Sequence, residues 1–112
     1  MKAPCILLSF AVLPVMVARL GAQAIPAKEL YDSNCKKCHG VIGTPPKAMK
    51  EKFPKIATFD AAFIAKHTAD SIVTILTKGK GEDMKSFKGK LTPAEMAAIA
   101  GYVHDLATRP RP

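Results

Sequence analysis

The chain is poor in the residues from which small proteins usually build a core. It has no tryptophan, two tyrosines and five phenylalanines in 112 residues, and three cysteines, too few for a disulfide-rich scaffold. Acidic residues are also scarce, with 9 Asp and Glu against 17 Lys and Arg, so that the formal net charge is +8. This length allows one small domain at most. Because such domains often need a disulfide, a metal or a cofactor for stability, we expect something else to complete the core.

The amino-terminal segment has the layout of a secretory signal peptide. A basic start precedes the apolar run of residues 6–17, and small residues follow at the cleavage position in AQA, residues 22–24. The run is shorter than the ~20 residues that a membrane-spanning helix needs, and a proline interrupts it, so an uncleaved anchor is the weaker alternative. We therefore predict that residues 1–24 are a cleaved signal peptide, which includes Cys5, and that residues 25–112 are the exported domain.

The remaining sequence lacks the alternating pattern of strands and predicts an all-α fold. Short helical segments alternate with loops rich in Pro, Gly and Lys. Helices are predicted at 27–37, 59–67 and 68–78, and loops at 41–55 and 79–90, with a frayed tail at 108–112.

The last helix has the clearest signals. Thr92 and Glu95 form a Thr-x-x-Glu capping box, and Pro93 occupies the first helical position. Apolar residues follow at helical spacing and build one face. We therefore predict three to five short helices packed around a cofactor.

The sequence NCKKCHG indicates what that cofactor is. Cys35 and Cys38 are three residues apart, and His39 follows directly. A thioredoxin-like redox pair needs a βαβ context that the pattern lacks, and a structural zinc site needs four ligands, whereas His67 and His104 are isolated. On one helix face the two thiols can form thioethers with two vinyl groups of one porphyrin. The motif therefore predicts one covalently attached haem c, with Cys35 and Cys38 as thioether residues and His39 as axial iron ligand.

A second axial ligand is predicted at Met84. This methionine lies among charged residues in a glycine-bounded loop, a setting that ordinary packing does not explain, whereas coordination of haem iron by its sulfur does. Met96 belongs to the apolar face of the last helix, and Met49 lies close to the attachment motif. Coordination by His67 or His104 is the bis-histidine alternative.

The segments ELYDSNCKKCHG, ILTKGKGEDMKSF and LTPAEMAAIAGYVHDL resemble a small bacterial class I cytochrome c, over roughly residues 27–106. The resemblance implies the cytochrome c fold, with the first and last helices crossing beside Tyr31 and Tyr102 and with Ala27 where glycine is usual. It also implies that a proline carbonyl, from Pro45 or Pro46, accepts a hydrogen bond from the axial histidine.

The predicted function is single-electron transfer in the periplasm, as a carrier and not as an enzyme. His/Met ligation leaves no open site for a substrate, and no acid/base pair, nucleophile or phosphate loop is evident. The alternative is a haem-based ligand sensor or enzyme subunit with a displaceable Met84, because Lys85 stands where many relatives have proline. The third hypothesis is a zinc-binding or interaction module, which would be colourless because it carries no haem.

Lysines suggest how the protein finds its partners. We expect a monomer that docks through them onto an acidic patch of a redox protein, and nucleic-acid binding is not expected. The lysines form two groups, Lys36, Lys37, Lys47, Lys50, Lys52 and Lys55 around the attachment motif and Lys78, Lys80, Lys85, Lys88 and Lys90 around Met84.

Overall fold

The computed structural model describes residues 1–4, 11, 14 and 24–112. The predicted signal peptide, residues 1–24, lies almost wholly outside the described residues. In the described part of the chain, no helix has both the length and the apolar character needed to cross a membrane. The six helices are α1 (Ala27–Asn34), α2 (Lys36–His39), α3 (Lys47–Lys52), α4 (Ala61–Lys66), α5 (Ala69–Lys78) and α6 (Pro93–Thr108).

The predicted all-α fold is confirmed. The described residues contain no β-strand and only two isolated bridges, Lys80 with Met84 and Lys88 with Leu91. The described residues form one helix more than the upper end of the predicted range, because the opening helix is divided and because α3 forms where a loop was predicted. It breaks at Cys35 (φ −125°, ψ −37°), which separates α1 from α2.

Helix α6 is the centre of the packing and contacts α1, α4 and α5. Its amino terminus carries the predicted capping box, in which the Glu95 N–H donates to Thr92 Oγ1 at 3.1 Å and the Thr92 N–H donates to Glu95 Oε1 at 2.9 Å. One face of the helix is buried along its length. The buried residues are Met96, Ile99, Ala100, Val103, Leu106 and Ala107.

The aromatic pair expected where the first and last helices meet is present. Tyr31 of α1 is fully buried, and its ring centroid lies 5.2 Å from that of Tyr102 of α6. Ala27, the expected replacement for glycine, is the first residue of α1. The contact brings the end of α1, and with it the attachment motif, against the core.

Two local predictions were wrong. Residues 41–55 were predicted as a loop, but α3 forms between two prolines, because Lys, Ala, Met and Glu all favour helix and Pro46 can precede a first turn. The tail was predicted to fray, yet the Arg111 guanidinium donates to Thr44 Oγ1 and to the Phe59 carbonyl.

Candidate functional site

The attachment motif is a tight helical turn that places both thiols at one end of α1. The Cys38 and His39 N–H groups both donate to the Cys35 carbonyl, at 3.2 and 2.9 Å. The two cysteines are not joined by a disulfide. Cys35 is 8% exposed, and burial, followed by the nearby Cys38, raises the pKa of its thiol to about 11. Cys38 is half-buried.

Gly40 turns the chain sharply after His39. Its φ is +82°, and a Cβ there would lie 2.0 Å from the Thr44 carbonyl oxygen, so the turn requires glycine. The Gly40 N–H donates to the Lys36 carbonyl at 2.8 Å. Its carbonyl accepts a 2.7 Å hydrogen bond from the buried Tyr31 hydroxyl. Both sides of Gly40 are therefore hydrogen-bonded to the helices that carry the motif.

His39 is oriented by the segment that precedes α4. Its Nδ1 lies 3.3 Å from the Ala57 carbonyl oxygen, and its ring stacks on Phe59 with centroids 4.6 Å apart. Burial lowers the pKa of His39, against the opposing effect of the Ala57 hydrogen bond. A neutral imidazole that donates from Nδ1 presents the Nε2 lone pair, which is the form that binds a metal.

The expected partner of His39 was the carbonyl of Pro45 or Pro46, and this prediction was wrong. The Pro46 carbonyl instead accepts from the Met49 and Lys50 N–H groups, at 2.9 and 3.1 Å, and so caps the first turn of α3. The acceptor of His39 is a backbone group of Ala57, and no side-chain pattern in the sequence marks it.

Met84 is presented by a compact loop between α5 and α6. The Lys80 N–H donates to the Met84 carbonyl at 2.9 Å, and the Met84 N–H donates back to the Lys80 carbonyl at 3.3 Å. The loop is tied to α5 by two further bonds, from the Phe87 N–H to the Leu76 carbonyl at 2.8 Å and from the Ser86 hydroxyl to the Thr77 carbonyl at 2.5 Å. Met84 is half-buried and packs against the core.

A cavity of about 670 Å³ brings these residues together. Its volume is that of a site for a small organic ligand or cofactor. Cys35, Cys38, His39 and Met84 all line it. Most of the remaining wall is apolar and comes from four parts of the chain, namely Phe53, Pro54, Ile56, Ala57, Phe59, Phe63, Ile72, Ile75, Leu76, Ile99 and Val103.

The donor set fits a covalently bound haem. Two thiols suit thioether bonds, an imidazole and a thioether suit haem iron, and the apolar wall suits a flat apolar ring. In the described part of the chain, no group of three or more His, Cys, Asp or Glu side chains is placed to hold a metal ion. The zinc alternative therefore gains no further ligand from these residues.

The other methionines and histidines considered as second iron ligands lie outside the cavity. Met96 is 3% exposed in the core, where its sulfur accepts from the Thr77 hydroxyl at 3.5 Å, and Met49 is half-buried on α3. His67 stacks on Phe63 with centroids 4.4 Å apart, and its carbonyl lies 3.1 Å from His104 Nε2. None of these four residues lines the cavity.

The residues that sequence reasoning missed are those that support the ligands. Phe59 stacks on His39, and Gly43 accommodates Phe59, because its φ is +80° and a Cβ there would lie 2.8 Å from the Phe59 Cβ. The Phe59 N–H donates to the Gly43 carbonyl at 2.8 Å. An aromatic residue before a helix and a glycine after the motif were visible signals, but their pairing depends on the tertiary fold.

Known proteins resemble this chain in both sequence and structure. The family model described as cytochrome c oxidase, cbb3-type, subunit III matches residues 22–103. A cytochrome c6 of Synechocystis sp. is 29% identical over 108 residues, covering 95% of this chain and 84% of the relative. A cytochrome c6 of Leptolyngbya boryana is 31% identical over 88 residues, covering 79% and 98% respectively.

Two further similarities are informative. The cbb3-type cytochrome c oxidase subunit FixP of Azorhizobium caulinodans is 32% identical over 78 residues, which are 70% of this chain but 25% of the relative. Among solved structures, the KustC0563 c-type cytochrome superposes with a TM-score of 0.66 at 34% identity, covering 73% of this chain and 98% of that one.

Proposed function

Because the chain belongs to the small class I c-type cytochromes, we propose that it is a periplasmic carrier of single electrons between redox proteins. Members of the family carry covalently bound haem c. Cys35 and Cys38 would hold one haem here through thioether bonds, and His39 and Met84 would coordinate its iron. The observation that carries this proposal is that one cavity is lined by all four side chains, although Met84 is far from the other three in the sequence.

The residues around the cavity suit electron transfer in which no substrate bonds to the metal. Haem c supplies a one-electron iron couple. The Ala57 carbonyl and the Phe59 ring hold the His39 imidazole, and the bridge between Lys80 and Met84 holds the thioether. With both axial positions filled, no site is left for a substrate on the metal. The largely apolar wall would leave few polar groups to reorient when the charge on the iron changes.

Surface charge supports docking to an acidic partner. All eleven lysines around the attachment motif and the methionine loop are exposed. Within the described residues only two ion pairs occur, Lys28 with Asp32 at 2.6 Å and Lys47 with Glu51 at 3.9 Å, so ten of these lysines have no acidic partner there. Unpaired positive charge near the site raises the association rate with a negatively charged protein, in a salt-dependent way.

We also propose that residues 1–24 are removed as a signal peptide and that residues 25–112 act as a monomer.

Absorption spectroscopy of matched methionine variants tests this function. The exported wild-type protein should show a c-type spectrum with the weak long-wavelength band of an iron–methionine bond. Met84→Ala should keep the c-type spectrum and lose that band. Met49→Ala, which removes a methionine that does not line the cavity, should keep both. Loss of the band in Met49→Ala, or its survival in Met84→Ala, would contradict the ligand assignment, and a protein without haem would contradict the function.

A second candidate function rests on Lys85. This exposed residue directly follows Met84, at a position where proline would stiffen the loop. A ligand sensor or enzyme subunit with a displaceable Met84 would bind carbon monoxide rapidly when reduced, whereas a carrier would bind it slowly or weakly. Comparison of the wild type with Lys85→Pro distinguishes the sensor from the carrier. If Met84 is displaceable, the proline should slow carbon monoxide binding, whereas in a carrier it should have little effect.

A further inference from the structure

The haem that the proposed function requires brings two carboxylates into an apolar cavity. Its propionate groups are ionised at neutral pH, and a carboxylate that enters an apolar site is costly unless a charged or hydrogen-bonding group meets it. Hydrogen bonds from an ionised donor, such as Arg or Lys, to a carboxylate are shorter and stronger than those from neutral donors. The protein must therefore supply donors at the cavity wall in addition to the four residues assigned above.

Most of the usual donors are committed elsewhere in the described part of the chain. The chain has no tryptophan. The Tyr31 hydroxyl donates to Gly40, and Tyr102 does not line the cavity. Arg109 lies over the Tyr102 ring and Arg111 donates to Thr44 and Phe59. Neither arginine lines the cavity.

The cationic donors at the cavity are two lysines. Apart from the cysteines and His39, the lining side chains with N–H or O–H groups are Asn34, Lys55 and Lys80. The Asn34 amide is neutral, and one of its two N–H bonds donates to the Leu30 carbonyl at 2.8 Å, so it cannot offset the charge of a carboxylate. Lys55 and Lys80 are both exposed, and neither has an ion-pair partner among the described residues. They lie in separate loops, one before α4 and the other after α5.

We propose that the ammonium groups of Lys55 and Lys80 bind the two propionate carboxylates of the haem. The proposal rests on the proposed function. Because both lysines are exposed and also line the cavity, they would meet the carboxylates at its rim, where the apolar wall removes part of the water and a charged partner replaces it. Asp83 also lines the cavity, and its negative charge would disfavour a carboxylate beside it unless Lys80 stands between them.

Each lysine should therefore raise the reduction potential. A positive charge held near the haem favours the reduced state, which carries one less positive charge. Lys55→Gln and Lys80→Gln should each shift the reduction equilibrium, measured against a redox dye, at least threefold towards the oxidised form. Because a contacting ion pair is screened much less than separated surface charges, the shift should persist in 1 M salt, where the Debye length is ~3 Å.

Matched controls separate pairing from net charge. Lys50→Gln and Lys78→Gln remove the same charge from exposed lysines that do not line the cavity. Their effect should be smaller and should vanish in 1 M salt. Lys55→Arg and Lys80→Arg should retain the wild-type equilibrium, because the charge is kept. Resonance Raman spectra should show a shifted propionate bending mode in the two cavity variants and in neither control.

The outcomes are distinguishable from failure of the proposed function. The absorption spectrum of every variant reports haem attachment and the methionine bond independently of the potential. If Lys55→Gln and Lys80→Gln keep a c-type spectrum and behave as the controls do, the lysine assignment is overturned and the carrier function stands. A shift for one lysine alone overturns the assignment of the other. A wild-type protein without haem overturns both.

Discussion

At the scale of single residues, Tyr31 is the buried polar side chain on which the attachment motif depends. Its hydroxyl donates to the Gly40 carbonyl at 2.7 Å, and the residue is 0% exposed. Tyr31→Phe keeps the ring and leaves a buried carbonyl without this donor, which should lower the free energy of unfolding by about 1–3 kcal/mol. Denaturant unfolding of the holoprotein measures the change. Tyr102→Phe, on the half-buried partner ring, is the matched control and should cost less.

The same phenol makes stability depend on alkaline pH. Burial raises the pKa of Tyr31 above the ordinary value of 10. The unfolded chain therefore releases this proton first, so the stability that the neutral phenol contributes is present below pH 10 and is lost as the pH rises above it. The maximum slope is about 1.4 kcal/mol per pH unit for one proton.

Urea unfolding at pH 9, 10 and 11 tests this dependence. The slope attributable to Tyr31 should disappear in Tyr31→Phe and remain in Tyr102→Phe, because that variant retains Tyr31. Equal slopes in the wild type and in Tyr31→Phe would show that other groups determine the alkaline loss of stability.

The residues of the candidate site could be predicted from the sequence where the type of side chain decides their role. Cys35, Cys38 and His39 could be singled out from their spacing, and Met84 from its charged surroundings, and the structure brings all four to one cavity. The acceptor of His39 could not be predicted, because any residue offers a carbonyl oxygen. Which carbonyl faces the ring depends on how the segment before α4 folds back over the motif.

At the scale of elements, the loop that presents Met84 depends on the glycine that ends α5. Gly79 has a φ of +76°, and a Cβ there would lie 2.7 Å from the Met84 carbonyl oxygen and 2.8 Å from the Ser86 nitrogen. Gly79→Ala should therefore displace the loop and weaken the iron–methionine bond. The long-wavelength absorption band should lose intensity, and carbon monoxide should bind faster to the reduced protein.

Gly89→Ala is the matched control for this loop. Gly89 has a similar φ of +82°, but no atom lies within 4 Å of the position that its Cβ would take. The substitution should cost about 1 kcal/mol of stability through the left-handed backbone alone and leave the absorption band intact. If both variants lost the band equally, strain in the backbone at the substituted glycine, and not crowding of the Met84 carbonyl, would explain the weaker iron–methionine bond.

Elements with local signals were predicted well, and those that depend on the rest of the fold were not. The capping box of α6 is determined within four residues, so it could be predicted from the sequence and was confirmed. The break at Cys35 was not predicted, although Asp32, Ser33, Asn34 and Cys35 itself all rank low in helix propensity. The short helix α3 was not predicted, because prolines lie on both sides of it. Its two cap residues, Pro46 and Phe53, lie just outside the helix and do not interrupt it.

At the scale of the whole molecule, the haem cavity and the hydrophobic core share their walls. Among the residues that the structure describes, twelve hydrophobic ones are buried, and half of them also line the cavity: Cys35, Phe59, Ile72, Leu76, Ile99 and Val103. A bound haem would therefore pack against half of the residues that form the core. A domain with so few aromatic residues has little other apolar surface to bury, so folding and cofactor attachment should be coupled.

A chain that cannot form thioethers should therefore fold poorly. The double variant Cys35→Ala, Cys38→Ala, expressed for export, should lose the cooperative thermal transition of the holoprotein and much of its helical circular dichroism. Met84→Ala is the control, because it removes one of the proposed iron ligands but keeps both of the proposed thioether residues. It should keep a cooperative transition at a lower Tm. If the double variant instead unfolded cooperatively with native helicity, the contacts among α1, α5 and α6 would be sufficient for the fold, and the haem would occupy a preformed site.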